Sequence, residues 1–386
     1  MRTLKILFLA VSVINAASID YRVSFDGTLD NREYGREPLN DETFFFARGA
    51  AEAGIAVDGE NRVRAGVMPA VWFGAPDTAH IPINILMYFR HESNRTRFRF
   101  GAFPRREGAG EHASPIRYNA AIDGTFPHDA ALGLPRQNYG TEPSDDKTAF
   151  RGDGALGSLP VWFFGDESAY RRPYVHGAAV DVGFGGLTAG AWVDWTGLRD
   201  TYVNEAFLFG YGLSYARGAF FARHDFMMYH LAHPLKLIPG EAVKDNGGAS
   251  AEIGAARGKI IKYIDTLQAS AGVIASLDRD RADMVWHTPV GGFVGGLIGY
   301  GMLALRGSYY AGQAQRMAWG ECFYRYSGIE SFGRGDVILR FFNKKRNSNG
   351  TKLNAELTSS FYLFDGKFGS SQHFVLNADI YGTYPK

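Results

Sequence analysis

The chain has 386 residues, 41 basic against 40 acidic side chains, 48 glycines, 14% aromatics and one cysteine. Near-neutral charge argues against a nucleic-acid binder, which needs a net basic face, and Cys322 alone excludes an internal disulfide. A mean hydropathy of −0.18 is too polar for a helical membrane protein, whereas the alternating strands of a barrel hide an apolar face in such an average.

Residues 1–17 read as a secretory signal. Arg2 and Lys5 make a positive start, Ile6 to Ile14 an apolar core, and Ala16 and Ala17 a small-residue cleavage site. That core is too short to cross a bilayer, which takes about 20 apolar residues. From residue 18 to 386 the chain reads as a single unit of short segments with period-two alternation. Sixteen candidate strands run near 20–29, 43–57, 61–73, 81–90, 95–104, 173–184, 187–196, 205–216, 219–231, 249–256, 262–277, 292–299, 302–313, 336–342, 352–364 and 372–381. In 95–104, Phe98, Phe100 and Ala102 share one face while Arg95, Arg97 and Arg99 share the other. In 352–364, Leu353, Ala355, Leu357, Phe361 and Leu363 oppose Asn354, Glu356, Thr358 and Ser360.

Connection lengths alternate. The turns at 185–186 and 217–218 are short, whereas 105–172, 232–248 and 314–335 are long. Short turns at one end and long loops at the other predict an all-β chain: a transmembrane antiparallel up-and-down β-barrel of about 16 strands, with 14–18 compatible. A soluble Greek-key sandwich has no reason to show that rhythm. Aromatics gather near strand ends, as at Trp72, Phe73, Trp192, Trp195, Phe207, Phe209, Tyr309 and Tyr310. They fit interfacial girdles or ordinary strand propensity.

Several spaced pieces carry a resemblance: Asp30-Asn31-Arg32-Glu33-Tyr34, Gly101 to Arg105, Tyr170 to Tyr174, Ala206 to Tyr211, Asp245-Asn246-Gly247 and Ser276 to Arg281. Together they resemble a poorly characterised, porin-like family of Bacteroidetes-type outer-membrane β-barrels. The resemblance implies a cell outer membrane location and the barrel fold, and names no substrate. Residues 106–158 lie outside it and read as an enlarged loop.

If the apolar faces meet lipid, Arg48, Glu52, Arg62, Arg64, Arg97, Arg99, Asp194, Glu252, Arg306, Arg340 and Glu356 point inward, with Asp379. Such a ladder either lines a pore and biases passing solutes or pairs internally and fills the barrel. The loop 105–172, with His112, Asp123, His128, Asp145 and Asp146, is either a constriction or an outer loop. His224 and His230 share a strand face, with Ser214 and His233 nearby, and suggest a hydrolase, a metal site or a structural pair. The run Asp278 to Asp283 is a carboxylate ion site or a solvated loop, and Asp245 to Gly248 reads as a turn. No Walker A loop, dinucleotide fingerprint, CxxC, HExxH or Gly-x-Ser-x-Gly elbow occurs.

The leading expectation is a porin-like channel for passive diffusion of small polar solutes, not an enzyme, with no metal and no cofactor. Its partners are outer-membrane lipid, the barrel assembly machinery and those solutes. The alternatives are a non-conducting barrel whose loops bind a glycan or protein, and a membrane-embedded hydrolase.

Overall fold

The computed structural model describes residues 18–35, 39, 41–73, 83–105, 156, 159–198, 204–233, 235–236, 243–261, 264–280, 284–344 and 350–384. The signal segment and the loop residues His112, Asp123, His128, Asp145 and Asp146 lie outside the described residues.

Seventeen strands form one antiparallel sheet: β1 (Ile19–Glu33), β2 (Glu42–Ala56), β3 (Asn61–Phe73), β4 (Ile83–Glu92), β5 (Thr96–Pro104), β6 (Tyr174–Phe184), β7 (Leu187–Gly197), β8 (Ala206–Arg217), β9 (Phe220–Leu231), β10 (Lys244–Ile261), β11 (Ile264–Asp280), β12 (Val285–His287), β13 (Val290–Tyr300), β14 (Leu303–Gly312), β15 (Ser331–Lys344), β16 (Gly350–Phe364) and β17 (Lys367–Tyr384). Consecutive strands pair, and β1 pairs with β17 from Ile19↔Tyr384 to Glu33↔Ser370, so the sheet closes. The three-residue β12 extends the partner of β11 beyond β13, which leaves sixteen wall strands. Closure removes the unpaired edge that lipid cannot hydrate.

Successive side chains of a strand face opposite ways. In β6, Val180 and Phe184 are exposed, while Val175, Ala179 and Asp181 are buried. The same split holds around the wall. Val63, Val67, Ile83, Ile85, Ile253, Val273, Leu305 and Leu363 are exposed, whereas Arg99, Asp194, Asp336 and Asn377 are nearly inaccessible. A water-soluble protein has the reverse arrangement; apolar outside and polar inside suits a barrel in lipid.

The core sits inside the barrel at its long-loop end. Residues 159–172 fold inward and include helix α1 (Asp166–Arg171); residues 313–330 do the same and include a 3₁₀ turn, Cys322–Tyr324. The two segments cross. The Gly165 N–H donates to the Trp319 carbonyl (2.8 Å), the Glu321 N–H to the Val161 carbonyl (2.9 Å), and the Phe164 ring stacks on Trp319 at 7°. At Gly165 a Cβ would come within 2.7 Å of the Glu321 nitrogen, so this crossing requires glycine. Trp162, Phe163, Phe323 and Tyr324 pack there against Tyr310, Phe332, Tyr362 and Phe364 of the wall.

Sequence and structure part in three places. Asp245 to Gly248 is strand, not turn: β10 begins at Lys244, and Asp245 and Asn246 sit opposite His230 and Tyr229. Asp278 to Asp280 closes β11 and is not loop. The β16–β17 connection is a two-residue hairpin at the long-loop end, where Asp365 and Gly366 both take positive φ (49° and 71°), the backbone that a tight strand reversal demands.

Candidate functional site

Inside the barrel, the residues singled out from sequence all project inward, and all but Glu252 lie in an ion pair. Arg48 pairs with Asp26. Glu52 accepts from the Tyr88 hydroxyl (2.7 Å) and lies 3.7 Å from Arg64. Arg62 and Arg64 share Asp20, at 3.5 and 3.0 Å. Arg97 reaches Glu92 at 3.2 Å, and Arg99 lies 3.9 Å from Asp181. Asp194 is gripped by Arg105 and by Arg172 (2.7 Å), which ties the inward segment to the wall. Arg306 and Arg334 both hold Asp336, Arg340 meets Glu356 at 3.2 Å, and Glu252 is buried across from Arg223. Asp379 is bidentate to Arg22, at 3.0 and 3.1 Å across the closing seam. Most of these side chains are under a tenth exposed. Buried charges of this kind are tolerable only in pairs.

The wall's outer face carries a different cluster. Ladder pairing sets Phe207 of β8, His230 of β9, Asp245 of β10, Arg279 of β11 and Trp286 of β12 in one cross-strand row. Directly paired residues share a face, and this face is the one bearing exposed Ile253 and Val273. The row lies at the long-loop end, because β9 starts from the short turn at Gly218 and ends at Leu231. His230 Nδ1 is 2.6 Å from Asp245 Oδ1. Arg279 Nη2 donates to the other oxygen, Oδ2, at 2.7 Å, and its guanidinium stacks on Trp286 at 4.4 Å. The Phe207 ring lies 4.9 Å from the imidazole. A carboxylate accepting from Nδ1–H fixes the imidazole's tautomer and orientation and leaves Nε2 as its free acceptor.

The sequence singled out His230 but read Asp245 as turn and Arg279 as part of a charge run. Ser214 faces the lumen, paired with Arg223, while His224 and His230 face outward, so that serine cannot serve either imidazole. Among the described residues no group of three His, Cys, Asp or Glu side chains is placed to hold a metal ion.

The family described as lipid A 3'-O-deacylase-type has a model that matches residues 158–381, more than half of the chain and the part that holds the whole row. No curated protein matches. Among solved structures, the loop L8 deletion mutant of OmpT of Vibrio cholerae is similar at 11% identity and a TM-score of 0.48, covering 95% of this chain and 100% of that one. The anion-selective porin from Comamonas acidovorans follows at 10% and 0.48, with the same coverages. The outer membrane protein opdK from Pseudomonas aeruginosa gives 10% and 0.45, covering 95% and 99%. The expected outer-membrane barrel fold is borne out by the closed sheet with its apolar outer face and polar interior. The expectation that the chain is not an enzyme is overturned by the family match, since the family is described by a deacylase activity. That expectation rested on the lack of a linear catalytic motif in the sequence.

Proposed function

The chain belongs to the lipid A 3'-O-deacylase-type family, and from that premise we propose that it hydrolyses an acyl ester of a lipid A-type glycolipid at its outer wall. The observation that carries the reading is the His230–Asp245 pair on the lipid-facing side of the barrel, with Arg279 beside it. His230 Nε2 takes a proton from water as that water attacks the ester carbonyl. Asp245 stabilises the imidazolium so formed. The tetrahedral intermediate collapses, the imidazolium proton passes to the leaving alkoxide, and a free fatty acid and a sugar hydroxyl result. Arg279 places positive charge where a phosphorylated headgroup would lie, and a planar guanidinium suits phosphate oxygens. Trp286 and Phe207 flank the site with rings of the kind that settle at the membrane interface.

The interior supports the same reading over a channel. Two aromatic segments cross the lumen at the long-loop end, and the charges along the wall are engaged with one another. The reading is tested by incubating the purified barrel with lipopolysaccharide and measuring released fatty acid by mass spectrometry. His230→Gln is expected to lower release by at least about 100-fold, the usual scale of general-base catalysis. Asp245→Asn should lower it as well, with both variants keeping heat-modifiable gel mobility. Equal release by folded parent and folded His230→Gln overturns the assignment.

A further inference from the structure

Below His230 the outer wall is not uniform. Phe207 contacts Phe209 at 5.9 Å, Phe209 contacts Phe226 at 6.1 Å, and Tyr211 stacks on Phe226 at 5.5 Å and 22°. Tyr211 also stacks on His224, at 5.5 Å and 10°. These rings make a continuous ridge along β8 and β9, from the His230 row toward the middle of the membrane. Beside the ridge, β10 presents Gly247, Ala249 and Ala251 on the same face, paired with Met228, Phe226 and His224. Gly247 is explained by the wall itself, because a Cβ there would strike the Met227 carbonyl. The two alanines keep the surface low beside the rings. The low stretch then stops at Ile253, which is 68% exposed and stands out from the sheet. From His230 to His224 the ridge runs about 20 Å at roughly 3.3 Å per residue.

We propose that this ring-lined strip holds the acyl chain being cut and sets the chain length accepted, with Ile253 as its end stop. The inference rests on the hydrolase reading above. The occupant is a fatty acyl chain because the strip is lined by rings and small side chains, with His224 its one polar ring at the far end, faces lipid and runs without a break into the polar row where an ester would sit. An extended chain gaining roughly 1.25 Å per carbon from tetrahedral C–C bonds would fill it with about 16 carbons. Flat rings give such a chain contact along its whole length, which fluid lipid elsewhere on the wall does not receive.

The experiment compares release of hexadecanoate and decanoate from matched phosphorylated glycolipid esters by the full-length barrel in vesicles. Ala251→Phe fills the strip and should lower the long-to-short ratio about tenfold, the effect of denying contact to about two methylenes. Tyr211→Leu, which keeps an apolar side chain, should lower it in the same direction, and Ile253→Ala should raise it. All three substitutions lie on the lipid face, and heat-modifiable mobility confirms folding. If the parent releases acid in a His230-dependent way but all three ratios match the parent's, the strip is overturned and the hydrolase stands. If the parent releases nothing, both readings fall. An unchanged ratio with a detergent-stable dimer that Ala251→Phe disrupts would assign the strip to a second copy of the chain and overturn the proposal.

Discussion

Asp194 shows how single residues hold the barrel's interior together. Its carboxylate receives Arg105, Arg172 and the His176 N–H at once, and so satisfies a charge that burial alone would make costly. Asp336 does the same between Arg306 and Arg334. Each pair converts an inward strand position into a fixed strut, which is why arginine, with its planar fork of donors, recurs inside. Cys322 is the contrasting case. Part of its surface stays accessible, yet dense packing pushes its thiol up to about 11, and the thiol donates to the Tyr34 hydroxyl at 3.6 Å. The thiolate is the reactive form, so reactivity stays low until the pH nears that value. Iodoacetamide at pH 8 should label Cys322 at least about 100-fold more slowly in the folded barrel than in urea. Comparable rates would show that the inward segment does not shield it.

At the scale of elements, the crossing of 159–172 with 313–330 decides whether the lumen is open. Replacing residues 314–329 with a short glycine-serine turn leaves β14 and β15 paired and removes Trp319, Phe323 and Tyr324, one of the two aromatic segments that cross the lumen. Single-channel recordings in planar bilayers should then show discrete ohmic steps that the parent lacks. Silence from both would mean that 159–172 closes the barrel alone. The elements also show what the sequence could carry. Period-two alternation placed every wall strand, because lipid outside and charge inside write that pattern directly. It shortened β10 to 249–256, since Asp245, Asn246, Gly247 and Gly248 have turn chemistry taken alone and are held in the ladder by β9 and β11. The outer row stayed illegible for a related reason. His230, Asp245 and Arg279 are 15 and 34 residues apart, and only the register of three strands sets them side by side. The folding inward of 313–330 left no periodic signal either, because its contacts are with distant strands.

At the scale of the whole molecule, closure depends on the last strand. Arg22 and Asp379 meet across 357 residues of sequence, and β1–β17 contains fifteen paired positions. Contacts at that separation are costly to form. Deleting 367–384 would leave β1 and β16 as open edges, a state that lipid does not tolerate. The truncated chain should fail to insert and lose heat-modifiable mobility, whereas insertion of a stable shortened barrel would show that β16 can close on β1. The closed wall also separates two environments that the sequence interleaves residue by residue, so that His230 and its neighbour Tyr229 face different media.

On the hydrolase reading proposed above, the outward aim of the His230 row has a kinetic consequence. A group on the rim of a closed cylinder meets its reactant by lateral diffusion within one leaflet, in two dimensions. The quantity that saturates it is then a surface mole fraction and not a bulk molarity. Diluting the lipid in vesicles with an inert one should slow turnover even when the total amount per volume is unchanged, and adding more vesicles of the same composition should leave the rate per barrel as it was.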